Sequence, residues 1–384
     1  MAGRRKICFV TGTRAEFGLM ESTLRAIERH PALGLQIVAT GMHLDASRGR
    51  TVKDIRASGW TVDAQIPWRA AMDPVGTAVA TGSAVSGLAR AFEKLKADIV
   101  LVVGDRVEAF AAAAAAHVSG RVVAHVHGGD RAAGLVDDSL RHAITKLAHL
   151  HFPATRQSAD RILKLGEDRR RVQVVGSPGI DGIRALAAPK GEVNRLFRVS
   201  PRRFSLLVLH PADADAHLEA DRARTVLDAT RAMSFDRVVV VYPNNDPGSA
   251  GIVETWRAVE AVAKDDRVRF LTNVPRPRFL GLLRDAAVLV GNSSSGIIEA
   301  ASFGTPVVDV GDRQRGRERG GNVVHVGYRR AAIVKALHAI WNDGRPVRCR
   351  GSNVYGGRDA GARIAGFLAG VSVDSELTRK LIAY

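Results

Sequence analysis

An apolar run, Ala287 to Val290, stops at Gly291-Asn-Ser-Ser-Ser-Gly-Ile-Ile-Glu299, after which the sequence turns helix-like. That layout suits a phosphate. Small residues let backbone approach the anion, and free N–H groups at a helix start favour negative charge. Ser293 and Ser294 add hydroxyl donors, and Glu299 is placed to accept hydrogen bonds from a ribose. A plain N-capped helix would use the same serines. A second anion position is Thr11-Gly-Thr-Arg-Ala-Glu-Phe-Gly18, the turn after the first apolar segment, where Arg14 supplies a fork-shaped cation. The competing reading there is a connecting turn with a solvated arginine.

Proton-transfer chemistry would need carboxylates and imidazoles at strand ends. Asp105 ends a strand in Gly104-Asp-Arg, where a carboxylate serves as a base or forms an ion pair with Arg106. His127 and Asp130 follow the next strand in His125-Val-His-Gly-Gly-Asp130, either at the mouth of a site or in packing and a turn. In Asp137-Asp-Ser-Leu-Arg141-His-Ala-Ile-Thr-Lys146, Asp137 and Arg141 are four apart, which puts them on one helix face. Capping alone does not require His142, Thr145 and Lys146 beside them. Further along, His210 in Leu209-His-Pro211 and Asn244 in Tyr242-Pro-Asn-Asn245 end strands, and Arg313 in Gly311-Asp-Arg-Gln-Arg-Gly-Arg317 follows another.

What positions these residues is a strand–helix alternation. Strands are expected at Lys6–Thr11, Leu35–Thr40, Ile99–Val103, Val122–Val126, Leu150–Pro153 and Val172–Val175. A second series is expected at Ser205–Leu209, Arg237–Tyr242, Val268–Leu271, Ala287–Val290, Pro306–Val310 and Asn322–Val326. Unbroken Val/Ile/Leu runs mean strands buried on both faces, hence parallel sheets covered by helices. The fold class is α/β, two doubly wound Rossmann-like domains facing each other, with the ligand at the carboxyl ends of both sheets. The expected division is 1–180 for the first domain, 181–203 for a linker, 204–370 for the second domain, and 371–384 for a C-terminal helix or tail. Charge, Pro189, Gly191 and Pro201 mark the linker.

Composition narrows the class. A hydrophobic share of 46% with 25% charged residues suits a globular chain of two ordinary domains. The longest apolar run, Ala109 to Val118, is well short of the ~20 residues a bilayer crossing needs and reads as a packed helix. Basic residues precede only a four-residue apolar stretch, Ile7 to Val10, so the N-terminus reads as a strand in a cytoplasmic protein rather than a signal peptide. Two cysteines, Cys8 and Cys349, have no metal or disulfide spacing. The net charge of +17 rests on scattered arginines, 46 of the 56 basic residues, with only 5% aromatics, which favours an anionic small molecule over nucleic acid. No Gly-x-Gly-x-x-Gly follows the first strand, which argues against a nicotinamide cofactor.

Taken together, Thr11-Gly-Thr-Arg-Ala-Glu, Gly104-Asp-Arg, His125-Val-His-Gly-Gly, Asp137-Asp-Ser-Leu-Arg-His-Ala-Ile-Thr-Lys, Gly176-Ser-Pro-Gly, Gly291-Asn-Ser-Ser-Ser-Gly and Gly311-Asp-Arg-Gln-Arg-Gly-Arg resemble, in order, the hydrolysing UDP-N-acetylglucosamine 2-epimerases of sialic-acid and related nonulosonic-acid biosynthesis. The resemblance implies a glycosyltransferase-B-like fold with the active site in the interdomain cleft. The implied reaction is anti elimination of UDP from a UDP-2-acetamido sugar, then hydration of the 2-acetamidoglycal to the free C2-epimer. It implies that Asp105 and Asp137 are the acid–base carboxylates, that Arg141 orients Asp137 or the sugar, and that His210 lies near the leaving group. By the same resemblance Arg14, Arg106, Ser293, Ser294 and Arg313 bind phosphates, Glu299 holds the ribose and Asn244 lines the site. His127 and Asp130 fall at a corner where the family varies: several members carry Glu at the first position, and those with His there often carry Glu at the second. No cofactor or metal, no nucleic acid, no membrane and a homodimer are implied. The substrate is left as UDP-N-acetylglucosamine or its 2,4-diacetamido-2,4,6-trideoxy analogue. A UDP-sugar glycosyltransferase of the same fold class is the nearest alternative; a non-catalytic nucleotide-sugar sensor or nucleic-acid binder is more distant.

Overall fold

The computed structural model describes residues 3–45, 50–68, 74–131, 136–243, 248–262, 266–272, 274–356 and 359–383. Two compact units result, one of residues 1–131, 135–181 and 357–384, the other of 132–134 and 182–356.

The first unit holds β1 (Arg5–Thr11), β2 (Leu33–Ala39), β3 (Ala64–Gln65), β4 (Ile99–Val103), β5 (Val122–Val126) and β6 (Leu150–Phe152), all parallel, in the order β3-β2-β1-β4-β5-β6. Side chains alternate across this sheet because the strand period is two. Ile7 and Phe9 enter one core with Met20, Leu24 and Ile27 of α1 (Arg14–Arg29), while Cys8 and Val10 enter the opposite one with Leu88 and Phe92 of α3 (Pro74–Leu95). Between them in the chain lies the short α2 (Val52–Ala57). The alanine run is α4 (Val107–Val118), whose small side chains Ala111, Ala112, Ala115 and Ala116 are buried in the second core. α5 (Asp137–Leu147) and α6 (Arg156–Lys164) complete the alternation.

The second unit repeats the plan. Its strands are β7 (Phe204–Val208), β8 (Arg237–Val241), β9 (Val268–Leu271), β10 (Val288–Gly291), β11 (Val307–Val310) and β12 (Val323–Val326), in the order β12-β11-β10-β7-β8-β9. Counted within its unit, each sheet has the doubly wound order 3-2-1-4-5-6. The order reverses between β1 and β4 in the first unit and between β7 and β10 in the second, and in doubly wound sheets ligands bind at the carboxyl ends beside such a reversal. The candidate residues come from these ends.

Three expectations need correction. Residues 181–203 are not a bare linker: α7 (Ile183–Leu186) and α8 (Lys190–Phe197) belong to the second unit. Val193 and Phe197, four apart, bury against Leu206 and Leu282, and that apolar pair outweighs the charges around it. Residues 360–370 do not belong to the second domain either. After α9 (Ala216–Arg231), α10 (Ser249–Val262), α11 (Arg276–Asp285), α12 (Ser294–Ile298) and α13 (Arg330–Trp341), the chain returns to the first unit as α14 (Ala360–Gly370). Ala360, Ile364 and Leu368 recur every four residues and join the α1 core, and a Cβ on Gly361 would stand 2.7 Å from the backbone of Ser22 and Thr23. The tail then forms α15 (Ser375–Thr378), with Leu377 buried. Finally, Val172–Val175 makes only the isolated bridge His151↔Val172 instead of a strand, because β6 is three residues long and Pro153 has no N–H with which to continue it.

Candidate active site

At the carboxyl end of the first sheet, the turn after β1 is built around two carboxylates, Glu16 and Glu108. Glu16 closes a capping box on α1: its Oε2 accepts from the N–H of Gly12 at 2.8 Å and of Thr13 at 3.0 Å. Burial, and next the neighbouring Glu108, push its carboxyl up to about 7. Glu108 lies under the same turn, buried to 4% exposure, and accepts from Nε of Arg106 at 3.2 Å. A Cβ at Gly12 or Gly41 would fall within 3 Å of the Glu108 side chain, so both glycines are needed for the carboxylate to fit. Arg14, first residue of α1, forms an exposed ion pair with Asp54 at 2.6 Å.

Asp105 stands on the turn after β4. That turn begins at Gly104, whose φ of +78° suits glycine, and His125 Nε2 donates to the Gly104 carbonyl at 2.8 Å. Burial lowers the His125 imidazole to about 3, so it stays neutral and Nε2–H is the donor. Arg141 of α5 is buried; it donates to Asp105 through Nη2 and to the His127 carbonyl through Nη1, the latter at 2.8 Å. Arg106 therefore turns to Glu108, and the partner of Asp105 is Arg141, 36 residues away. Asp137 opens α5 one turn before Arg141 and is half-buried.

His127 adopts φ +61°, a left-handed conformation uncommon for a residue with a Cβ. Strain of this kind costs on the order of 1–3 kcal/mol and persists where surrounding contacts impose it. Here they do: Nδ1 meets Asp130 Oδ2 at 3.1 Å, Nε2 meets Ser177 Oγ at 3.0 Å, and the carbonyl receives Arg141. A carboxylate only accepts, so Nδ1 carries a proton and donates to Asp130. Asp130 Oδ1 accepts from Ser158 at 2.7 Å, and its Oδ2 lies 4.0 Å from Arg141. Asp130 is 4% exposed and bound internally, whereas the Asp105 side chain keeps 21% exposure. Of the two, Asp105 is the carboxylate open to a ligand.

In the second unit the switch point is tied across. The His210 N–H donates to Asn292 Oδ1 and Asn292 Nδ2 donates to the His210 carbonyl, both at 2.8 Å, joining the loops after β7 and β10. Burial, and next the Arg313 charge, lower His210 to about 3; it is a neutral imidazole at physiological pH. Ser293 caps α12, Ser294 begins it, and Ser293 Oγ lies 2.9 Å from Ser295 Oγ. The helix is only five residues long, so local N–H groups and hydroxyls, more than a macrodipole, would meet an anion. Arg313 donates to the Asn292 carbonyl at 3.2 Å, and Gln314 does so at 2.9 Å. Glu299 is the C-cap of α12 rather than an interior residue, and pairs with Arg276 at 2.7 Å. Asn244 lies outside the described residues.

Within each unit the structure thus gathers what the sequence had scattered: Asp105, His127, Asp130, Asp137 and Arg141 in the first, His210, Ser293, Ser294 and Arg313 in the second. Glu108, Asn292 and Ser177 are supporting residues that sequence reasoning left without a role. A lone acid at the start of an alanine helix was a signal for the first. The other two sit in motifs already noted, Gly291-Asn-Ser and Gly176-Ser-Pro.

The sequence from residue 25 to 369 matches the family UDP-N-acetylglucosamine 2-epimerase. The UDP-N,N'-diacetylbacillosamine 2-epimerase (hydrolyzing) of Legionella pneumophila is 37% identical, over 99% of this chain and 100% of its own length. The chain belongs to the UDP-N-acetylglucosamine 2-epimerase family. A family member from Neisseria meningitidis, a UDP-N-acetylglucosamine 2-epimerase, is 33% identical over 89% of each chain. Among solved structures, the UDP-GlcNAc 2-epimerase from Neisseria meningitidis bound to UDP-GlcNAc superposes with a TM-score of 0.80, covering 94% of this chain and 99% of that one at 19% identity. At that identity the likeness speaks for the fold, a pair of Rossmann-like domains of the glycosyltransferase-B-like class. This epimerase-family chain has, among its described residues, no helix long and apolar enough to cross a membrane and no cluster of His, Cys, Asp and Glu suited to a metal ion.

Proposed function

We propose that this UDP-sugar 2-epimerase is of the hydrolysing kind and converts a UDP-2-acetamido sugar and water to UDP and the free manno-configured sugar. The observation that carries the reading is full-length similarity to the hydrolysing Legionella pneumophila relative, with this chain's own candidate motifs following strands at the carboxyl ends of both sheets. The C2 proton has no adjacent carbonyl and becomes acidic only as the C1–O bond breaks. A carboxylate must therefore take it while cations and hydroxyls receive the departing pyrophosphate. Asp105 and Asp137 are the acid–base pair. One removes the C2 proton as the electron pair forms the C1–C2 double bond and UDP leaves. Water then adds its oxygen to C1, and a proton is delivered to C2 from the other face.

Arg141 holds Asp105 at its station, and His127 and Asp130 brace Arg141 through the His127 carbonyl. Ser293, Ser294, Arg313, Arg14 and Arg106 hold the pyrophosphate, Glu299 the ribose, and His210 lies beside the leaving group as a neutral donor. Asn244 lines the site by motif. For the sugar we infer UDP-N,N'-diacetylbacillosamine, the 2,4-diacetamido-2,4,6-trideoxy compound, ahead of UDP-N-acetylglucosamine. The relative named for the former is 37% identical over 383 residues, against 33% over 342 for the latter. A cytoplasmic homodimer in nonulosonic-acid biosynthesis completes the proposal, supported by the motif resemblance. Incubation with each nucleotide sugar, without any acceptor, followed by NMR for UDP and free sugar, tests it. Release from neither would remove the hydrolysing reading, and dependence on an added acceptor would move it to a glycosyltransferase.

A further inference from the structure

The family match ends at residue 369, yet the tail beyond it reaches back to the helix that carries Asp137 and Arg141. Lys380 Nζ donates to the carbonyls of Thr145 at 2.9 Å, Lys146 at 2.7 Å and Ala148 at 2.6 Å, and lies 2.7 Å from Glu167 Oε2. These carbonyls belong to the last turn and C-cap of α5, where an α-helix leaves its acceptors unpaired and its negative dipole end bare. One ammonium thus completes the end of α5. Glu167, whose side chain is fully buried, balances the charge and also receives Lys146 at 2.6 Å and His151 at 3.1 Å. The tail is pinned on both sides of Lys380: Arg171 donates to the Leu377 carbonyl at 2.8 Å, and the Ala383 N–H donates to the Gly166 carbonyl at 2.9 Å. One turn back from the clamp, Thr145 Oγ1 donates to the Arg141 carbonyl at 3.1 Å, so backbone held by Lys380 adjoins the residue that holds Asp105.

We propose that Lys380 is a positioning residue for the epimerase reaction, clamping the C-terminal end of α5 so that Arg141 and Asp137 stay in register with Asp105. The inference rests on the proposed function. Its consequence is a kinetic signature. A slackened α5 misplaces proton-transfer groups and lowers kcat, while UDP binding, assigned chiefly to the other unit, is untouched. Burial lowers the Lys380 ammonium to about 8; Glu167 opposes the shift, the Lys146 and Arg171 charges add to it, and the imidazoles of His149 and His151, lowered by their own burial, also face this cluster. Alkali therefore unloads the clamp, which an arginine, charged at every accessible pH, would resist.

The test begins with wild-type turnover of the two nucleotide sugars; absence of turnover refutes the proposed function itself and leaves the clamp to hydrogen exchange. In Lys380→Ala, kcat should fall tenfold or more with KM and UDP affinity within about threefold. Lys380→Arg should recover most of kcat and move the alkaline limb, expected near pH 8 in the wild type, upward. Exchange of α5 amides should speed up tenfold or more in Lys380→Ala. An alanine variant with wild-type kcat, an arginine variant no better than alanine, or unchanged α5 exchange would each overturn the inference. Should Lys380→Ala fail to fold, Lys380→Met, which keeps the stem and loses the ammonium, decides: a tenfold or greater fall in kcat at constant UDP affinity supports the clamp, and wild-type kcat refutes it.

Discussion

Replacing Arg141 with methionine tests the internal logic of the first unit. Arg141 is 2% exposed, and its two hydrogen bonds go to groups on different loops, the His127 carbonyl and the Asp105 carboxylate. Losing the first leaves a buried carbonyl without its charged donor, which costs about 1.5–3 kcal/mol. Losing the second breaks an ion pair. Fully buried pairs cost about 3–5 kcal/mol when one partner is removed, but water reaches the 21%-exposed Asp105 and reduces this to about 2 kcal/mol. Together the change should remove about 3–5 kcal/mol, a large part of the ~5–15 kcal/mol typical of a folded domain. Hydrogen exchange of the β4, β5 and α5 amides reads that loss within the unit concerned. Turnover should fall at least ~100-fold, the lower end of what a positioned acid or base supplies. Arg141→Lys keeps the charge but cannot fork to both partners, and should lose about 1.5–3 kcal/mol. A methionine variant within 1 kcal/mol of wild type and within threefold in rate would refute the assignment of Arg141 as the bridge.

The remaining expectations concern single groups. Asp105→Asn and Asp137→Asn should each lower turnover ~10²–10⁴-fold with UDP affinity, measured by calorimetry, unchanged; a near-normal rate in either removes that residue from the mechanism. Ser294→Ala combined with Arg313→Ala should weaken UDP binding by tenfold or more with the far-UV spectrum intact, and unchanged affinity would displace the phosphate site from α12. Burial alone would raise the Glu167 carboxyl, but hydrogen bonds from His151, Lys146 and Lys380 bring it down to about 2. Because the folded value lies below the unfolded one of ~4.3, its contribution is present above pH ~4.3 and is lost as pH falls toward 2. Urea midpoints from pH 5 to 2 should therefore drop less steeply in Glu167→Gln than in wild type. Equal slopes would contradict the buried network.

How far the sequence reaches is clear from particular segments. The runs Ile99–Val103 and Val122–Val126 stand as strands with those bounds, because buried parallel strands need unbroken apolar sequence and little else. β3 was missed, being two residues paired only to β2. The spacing of Ala360, Ile364 and Leu368 shows that a helix has an apolar face, but not which of two similar cores receives it. The same limit governs the site. Sequence placed Asp137 and Arg141 on one helix, a local fact, and α5 carries both. It offered Arg106 as partner for Asp105; the actual partner depends on how α5 lies against the β4 and β5 loops, a tertiary fact. Likewise Asn292 joins two loops 82 residues apart, and nothing in Gly-Asn-Ser-Ser-Ser-Gly foretells His210 as its partner.

The central claim is that a C2 proton is removed and replaced as UDP departs. Turnover of UDP-N,N'-diacetylbacillosamine in heavy water, with the product examined by proton NMR and mass spectrometry, tests it most directly. The account predicts a free manno-configured sugar carrying one deuterium at C2, released together with UDP. A product that keeps its original hydrogen at C2, or is released with C2 unchanged, would contradict it.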